Sequence, residues 1–125
     1  MHMQFNGKEL TAIAKMAASM AAADGSFDKV EFEEIIKELI RFGVDSTQAA
    51  AILAGADNME ASDAFATISA MTTTQKKYVS GFLAAIMLSD GKIEDSEVKM
   101  WQLICTLTRC PTMSAGEALE FWQNN

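Results

Sequence analysis

Apolar residues recur at three- and four-residue intervals along most of the chain, and the breaks between these runs carry helix-capping residues. The first run predicts a helix from Asn6 or Gly7 to Ala23, with Leu10, Ile13, Ala14, Ala17, Met20 and Ala21 on one face. A second helix is expected to start at Asp28, a good N-cap, with Glu31 at the reciprocal position of a capping box. Its stripe is Phe32, Ile35, Ile36, Leu39 and Ile40, and Gly43 ends it. A short third helix follows Asp45 or Ser46 through Leu53, and a fourth covers Glu60 to Met71 with Phe65 and Ile68 inward. Thr72 and Gln75 form another capping box, opening a fifth helix that carries Val79, Phe82, Leu83 and Ile86. The sixth spans Asp95 to Thr108 with Val98, Trp101, Cys105 and Thr108 on one face, and Pro111 bars its continuation. Ser114 with Glu117 caps a last helix that ends in Leu119, Phe121 and Trp122. The pattern is all-α, with seven helices.

Two of the breaks repeat each other. At an offset of 66 residues, Asp24, Gly25, Phe27, Asp28, Glu31, Phe32 and Ile35 align with Asp90, Gly91, Ile93, Glu94, Glu97, Val98 and Trp101. Each copy reads as the bend of a helical hairpin, a long apolar helix followed by an Asp-Gly turn and an acid-capped helix. Gly25 and Gly91 are expected to supply the left-handed residue at each bend. We expect one compact domain over residues 1–125, built from two pseudo-symmetric hairpins with an internal repeat of 10–55 and 74–123.

The bends resemble part of a calcium loop. An EF-hand coordinates through positions 1, 3, 5, 7, 9 and 12, with Gly at 6 and an aliphatic residue at 8. Asp24, Gly25, Phe27, Asp28 and Glu31 fill positions 5, 6, 8, 9 and 12, but Met20 and Ala22 stand at 1 and 3. The second copy has Ile86 and Leu88 there. These side chains cannot ligate calcium, so a true EF-hand is excluded. Two readings of the acids stay open. As caps, they offset the following helix dipole by ~0.3–1 kcal/mol each. As a cluster, Asp24, Asp28 and Glu31 with Asp90, Glu94 and Glu97 would repel one another unless protonated, solvated or bridged by a cation.

Charge and composition narrow the function. The net charge of −7 disfavours nucleic acid, whose phosphates need a basic footprint. The acidity belongs to the repeat: residues 24–38 carry a net −4 and residues 90–97 a net −3, while the remaining acids and bases balance. Cys105 and Cys110 lack CxxC spacing and a histidine partner, which argues against zinc, and they read as two reduced thiols near a buried helix. His2 is the sole histidine, which removes Cys–His and Ser–His nucleophilic chemistry. No apolar run approaches the ~20 residues of a membrane span, and no signal-peptide pattern opens the chain, so a cytoplasmic protein without membrane insertion is expected.

The paired Asp-Gly-x-(aliphatic or aromatic)-(Asp/Glu)-x-x-Glu bends, each between helices, resemble the TerB-like group of tellurite-resistance proteins. They are also similar to the N-terminal domain of a membrane-anchored DnaJ-like co-chaperone. The resemblance covers about Ala12 to Leu119. It implies a seven-helix fold, no known catalytic activity, and an acidic divalent-metal site, which by position would be Asp24, Asp28, Glu31, Asp90, Glu94 and Glu97. The donors are oxygen only, so the ion would be calcium, magnesium or manganese, weakly held. The expected role is a non-enzymatic module in stress response or protein interaction, with a protein partner of unknown identity. The alternative is a structural adaptor or homodimerising domain whose acids are only caps. Its partner would meet an apolar or Met-rich surface, for which Met16, Met20, Met71, Met87 and Met100 would suit adaptable packing, although methionine at helical spacing is more often ordinary core. Trp122 and Phe121 could close the core or support a dimer, and core is the expectation.

Overall fold

The computed structural model describes residues 4–24, 29–89 and 94–125. The α-helices are α1 (Gly7–Ala21), α2 (Lys29–Leu39), α3 (Ser46–Ala56), α4 (Ala61–Ser69), α5 (Thr73–Met87), α6 (Asp95–Leu107) and α7 (Ala115–Asn124). A 3-10 turn, Ala22–Asp24, extends α1, and another, Ile40–Phe42, extends α2. No strand occurs among the described residues. Gly43 closes the second of these turns at φ 98°, donating its N–H to the Ile40 carbonyl at 2.9 Å. That left-handed conformation suits a residue without Cβ.

Short-range chemistry sets the helix starts. Asn6 with Glu9, Asp45 with Gln48, Thr72 with Gln75 and Ser114 with Glu117 all form closed capping boxes. In each, the cap side chain accepts from the N3 amide and the N3 side chain accepts from the cap amide, over 2.7–3.1 Å. The Ser114 N–H, and then its hydroxyl, hold the Glu117 carboxyl below the usual carboxylate range.

α1 and α5 form the centre. α1 packs against α2, α3, α4, α5 and α6, while α5 packs against α1, α2, α6 and most extensively α7. From Tyr78 to Met87, α5 is buried around nearly its whole circumference, as a helix apolar on every side must be. Met16, Met20, Met71 and Met87 are buried in this core and Met100 is half-buried, so these methionines serve as core rather than as a partner surface. Trp122 is fully buried and closes the core between α5 and α2.

α2 departs from its expected stripe. Ile35 and Leu39 are buried, but Phe32 and Ile40 are exposed to 37% and 40%. The stripe is wider than the arc that α1, α3 and α5 cover. Phe32 instead lines a shallow cleft beside Ala18, Ala22 and Leu53. α3 also runs to Ala56 rather than Leu53, because the small residues beyond Leu53 continue its helix and Ala56 is buried.

Candidate metal centre

Of the repeated acids, Asp24 ends the 3-10 turn that extends α1, while Glu31, Glu94 and Glu97 stand at the starts of α2 and α6. Glu31 lies in the first turn of α2 and Glu97 in the first turn of α6, and both are half-buried. One carboxylate oxygen of Glu31, Oε2, is sealed from solvent. Glu94 is the N-cap of α6, but its side chain makes no cap hydrogen bond, in contrast to the four closed boxes. The expected capping box of Asp28 with Glu31 falls partly outside the described residues. So do the side chain of Asp24, all of Asp28 and Asp90, and the left-handed glycines expected at Gly25 and Gly91.

The end of the first hairpin's leading helix meets the second copy's acid-bearing helix. The 3-10 turn Ala22–Asp24, which leads into the first bend, lies with its Cα atoms within 8 Å of those of α6, the acid-bearing helix of the second copy. α1 also packs on α6. Among the described residues alone, no three Asp, Glu, His or Cys side chains converge to hold an ion. The described candidates Glu31, Glu94 and Glu97 therefore do not form a centre by themselves. Their donors are carboxylates without thiol or imidazole, which fits a hard cation such as calcium, magnesium or manganese.

The repeat also sorts core from site. Ile35 and its counterpart Trp101 are both buried, so this register is shared. Leu39 is buried, whereas its counterpart Cys105 is half-buried, because Cys105 packs at the edge of the core where an open cleft begins. Trp101 spans the gap, donating its indole N–H to the Ser80 carbonyl at 3.2 Å. Sequence periodicity placed Cys105 on the core face of α6 and gave no sign of the cleft. The departure that creates it is at the helix end, where Arg109 takes φ 60° without being glycine.

With this arrangement in place, the comparisons with known proteins are direct. The sequence profile described as "Tellurite resistance protein TerB" matches residues 10–116. The chain belongs to the TerB family. Among solved structures, it is similar to a protein of unknown function from Porphyromonas gingivalis. The two are 45% identical, the match covers 98% of this chain and 92% of the other, and the TM-score is 0.87. No curated protein matches. No helix among the described residues is long and apolar enough to cross a membrane.

Proposed function

We propose that this TerB-family chain is a non-enzymatic module that holds one hard divalent cation weakly where its two acidic bends meet. The observation that carries the reading is the approach of the turn Ala22–Asp24 to α6, the helix that bears Glu97. Glu31 and Glu97 are the central ligands of the proposal, with Asp24, Asp28, Asp90 and Glu94 completing the set. A bound cation would neutralise repulsion among these carboxylates and tie the two hairpins together. In this reading, occupancy sets how the bends present themselves to a protein partner in a stress response. Two half-loops lack the cage of an EF-hand, so the expected dissociation constant is on the order of 10⁻⁴–10⁻³ M.

The cap reading also has support, since Glu31 and Glu97 lie in first turns, where carboxylates offset the helix dipole. Thermal unfolding separates the two. At ten times such a dissociation constant, binding to the native state adds ~1.4 kcal/mol, which raises the midpoint by about 5 °C for a domain of this size. Calcium should produce that rise beyond ionic-strength-matched sodium chloride, and Glu31→Gln or Glu97→Gln should each reduce it. Equal shifts with sodium chloride, unaffected by either substitution, would leave the acids as caps.

A further inference from the structure

The C-terminus of α6 brings the only two cysteines of the chain into contact. Arg109, at φ 60°, is the sole non-glycine with positive φ among the described residues. It sits where a Schellman motif needs its left-handed residue. The Cys110 N–H donates to the Cys105 carbonyl at 2.9 Å, and the Arg109 N–H donates to the Thr106 carbonyl at 3.2 Å. These are the 6→1 and 5→2 bonds of that motif, which commonly brings the first and last side chains of the loop together. Here those side chains are Cys105 and Cys110. The 2.9 Å bond, with standard bond lengths, keeps their Cα atoms within ~6.8 Å. That falls inside the ~4.4–6.8 Å span that a disulfide bridges.

The thiols are also accessible and differentiated. Both are half-buried and line an open cleft of about 610 Å³ together with Ser80, Trp101, Arg109 and Met113. Hydrogen bonding with the neighbouring Cys105 thiol is the main cause that lowers the Cys110 thiol to about 6, while burial opposes it. The positive charge of Lys76 acts in the same direction. Cys105 is pushed up, first by that same bond and then by burial. Thr108 Oγ1 lies 3.3 Å from Cys110 Sγ, with its single hydroxyl proton given to the Ile104 carbonyl at 2.7 Å. Ser80 Oγ lies 3.6 Å from Cys105 Sγ. The two sulfurs therefore sit in unlike surroundings, Cys105 beside Ser80 and Cys110 beside Thr108.

We propose that Cys105 and Cys110 form a modification site for hydroperoxides, with Cys110 as the attacking thiolate and Cys105 as the resolving thiol. Cys110 Sγ attacks one peroxide oxygen and the O–O bond breaks. The departing alkoxide or hydroxide takes a proton from water, and Cys110 becomes a sulfenic acid. Cys110 is then no longer the thiolate acceptor that held the Cys105 proton. Cys105 Sγ attacks the sulfenic sulfur, the S–S bond forms, and the leaving hydroxide departs as water with that proton. Two thiols are oxidised by two electrons in total, and the peroxide is reduced to an alcohol or water and a second water.

The test uses the full reduced chain with hydrogen peroxide, followed by intact mass and non-reducing peptide mapping. The expected product is a monomer lighter by two hydrogens, with Cys105 linked to Cys110. In Cys105→Ser, a sulfenic-acid trap should label Cys110. In Cys110→Ser, Cys105 should react at least about tenfold more slowly, because it stays a thiol. In the unsubstituted chain, iodoacetamide should modify Cys110 at least about tenfold faster than Cys105. Intermolecular dimers as the main product, stepwise oxygen addition without the internal link, or equal alkylation of both thiols would each overturn the proposal.

Discussion

Replacing Trp122 with alanine should destabilise the protein by ~3–5 kcal/mol, a large share of the ~5–15 kcal/mol that holds a typical domain together. The ring has no solvent exposure. It packs against Phe42 and Phe82, with centroids at 5.0 and 5.6 Å, and tyrosine 78 stands edge-on at 6.5 Å. Its indole N–H donates to Glu38 Oε1 at 2.7 Å. Arg41 lies over the ring at 4.9 Å and donates to the Trp122 carbonyl at 3.0 Å. Alanine would open a cavity at the α2–α5–α7 junction and remove the donor to Glu38 together. Trp122→Phe separates the contributions, since it keeps most of the ring and loses the N–H. That change should cost ~1.5–3 kcal/mol, the range for a hydrogen bond to a charged group. Denaturant unfolding of both variants measures the difference, and a Trp122→Phe loss close to zero would show that the Glu38 bond contributes little.

Gly81 should be as intolerant of substitution as the aromatic core around it. It lies inside α5, where exchanging glycine for alanine ordinarily favours the helix by ~1 kcal/mol. Here a Cβ would meet the Ala118 carbonyl oxygen and Trp122 Cβ, both at 2.7 Å, and Trp122 Cα at 3.3 Å. Two of those atoms are backbone, and the third is the first carbon of a packed side chain, so α7 must move away bodily. Overpacking of this kind costs ~1–3 kcal/mol, which outweighs the propensity gain. Gly81→Ala is therefore expected to lower the melting midpoint, and Gly81→Leu to undock α7. Undocking would shift the Trp122 fluorescence to the red. A Gly81→Ala protein that melts above the unsubstituted one would show that α7 yields freely.

Helix starts were legible in the sequence where their chemistry is local. Thr72 with Gln75 and Ser114 with Glu117 are each complete within four residues, and both boxes form as read. The core was legible where apolar periodicity and burial coincide, as at Ile35, Val79, Phe82 and Trp101. It failed at Phe32 and Ile40, because the width of a buried arc depends on how many neighbours a helix meets. The cleft at the end of α6 was hidden for a different reason. A left-handed helix end normally announces itself with glycine, and here arginine occupies the position. The i, i+5 spacing of Cys105 and Cys110 just before Pro111 was the available signal, and it has meaning only once that loop geometry is known. For the acidic bends, the sequence offers candidate carboxylates, and the contact of the turn Ala22–Asp24 with α6 is a long-range feature that spacing alone could not reveal.

The most direct test of a shared cation site is manganese titration followed by amide resonance broadening in the full chain. Manganese is a hard, oxygen-preferring ion like calcium, and its paramagnetism marks residues near it. The account predicts that low manganese broadens residues 24–31 and 90–97 in parallel, with one apparent affinity. Calcium should reverse the effect, and either Glu31→Gln or Glu97→Gln should weaken it at both bends. Broadening confined to one bend, or spread evenly over acids remote from the repeat such as Asp63 and Glu120, would contradict it.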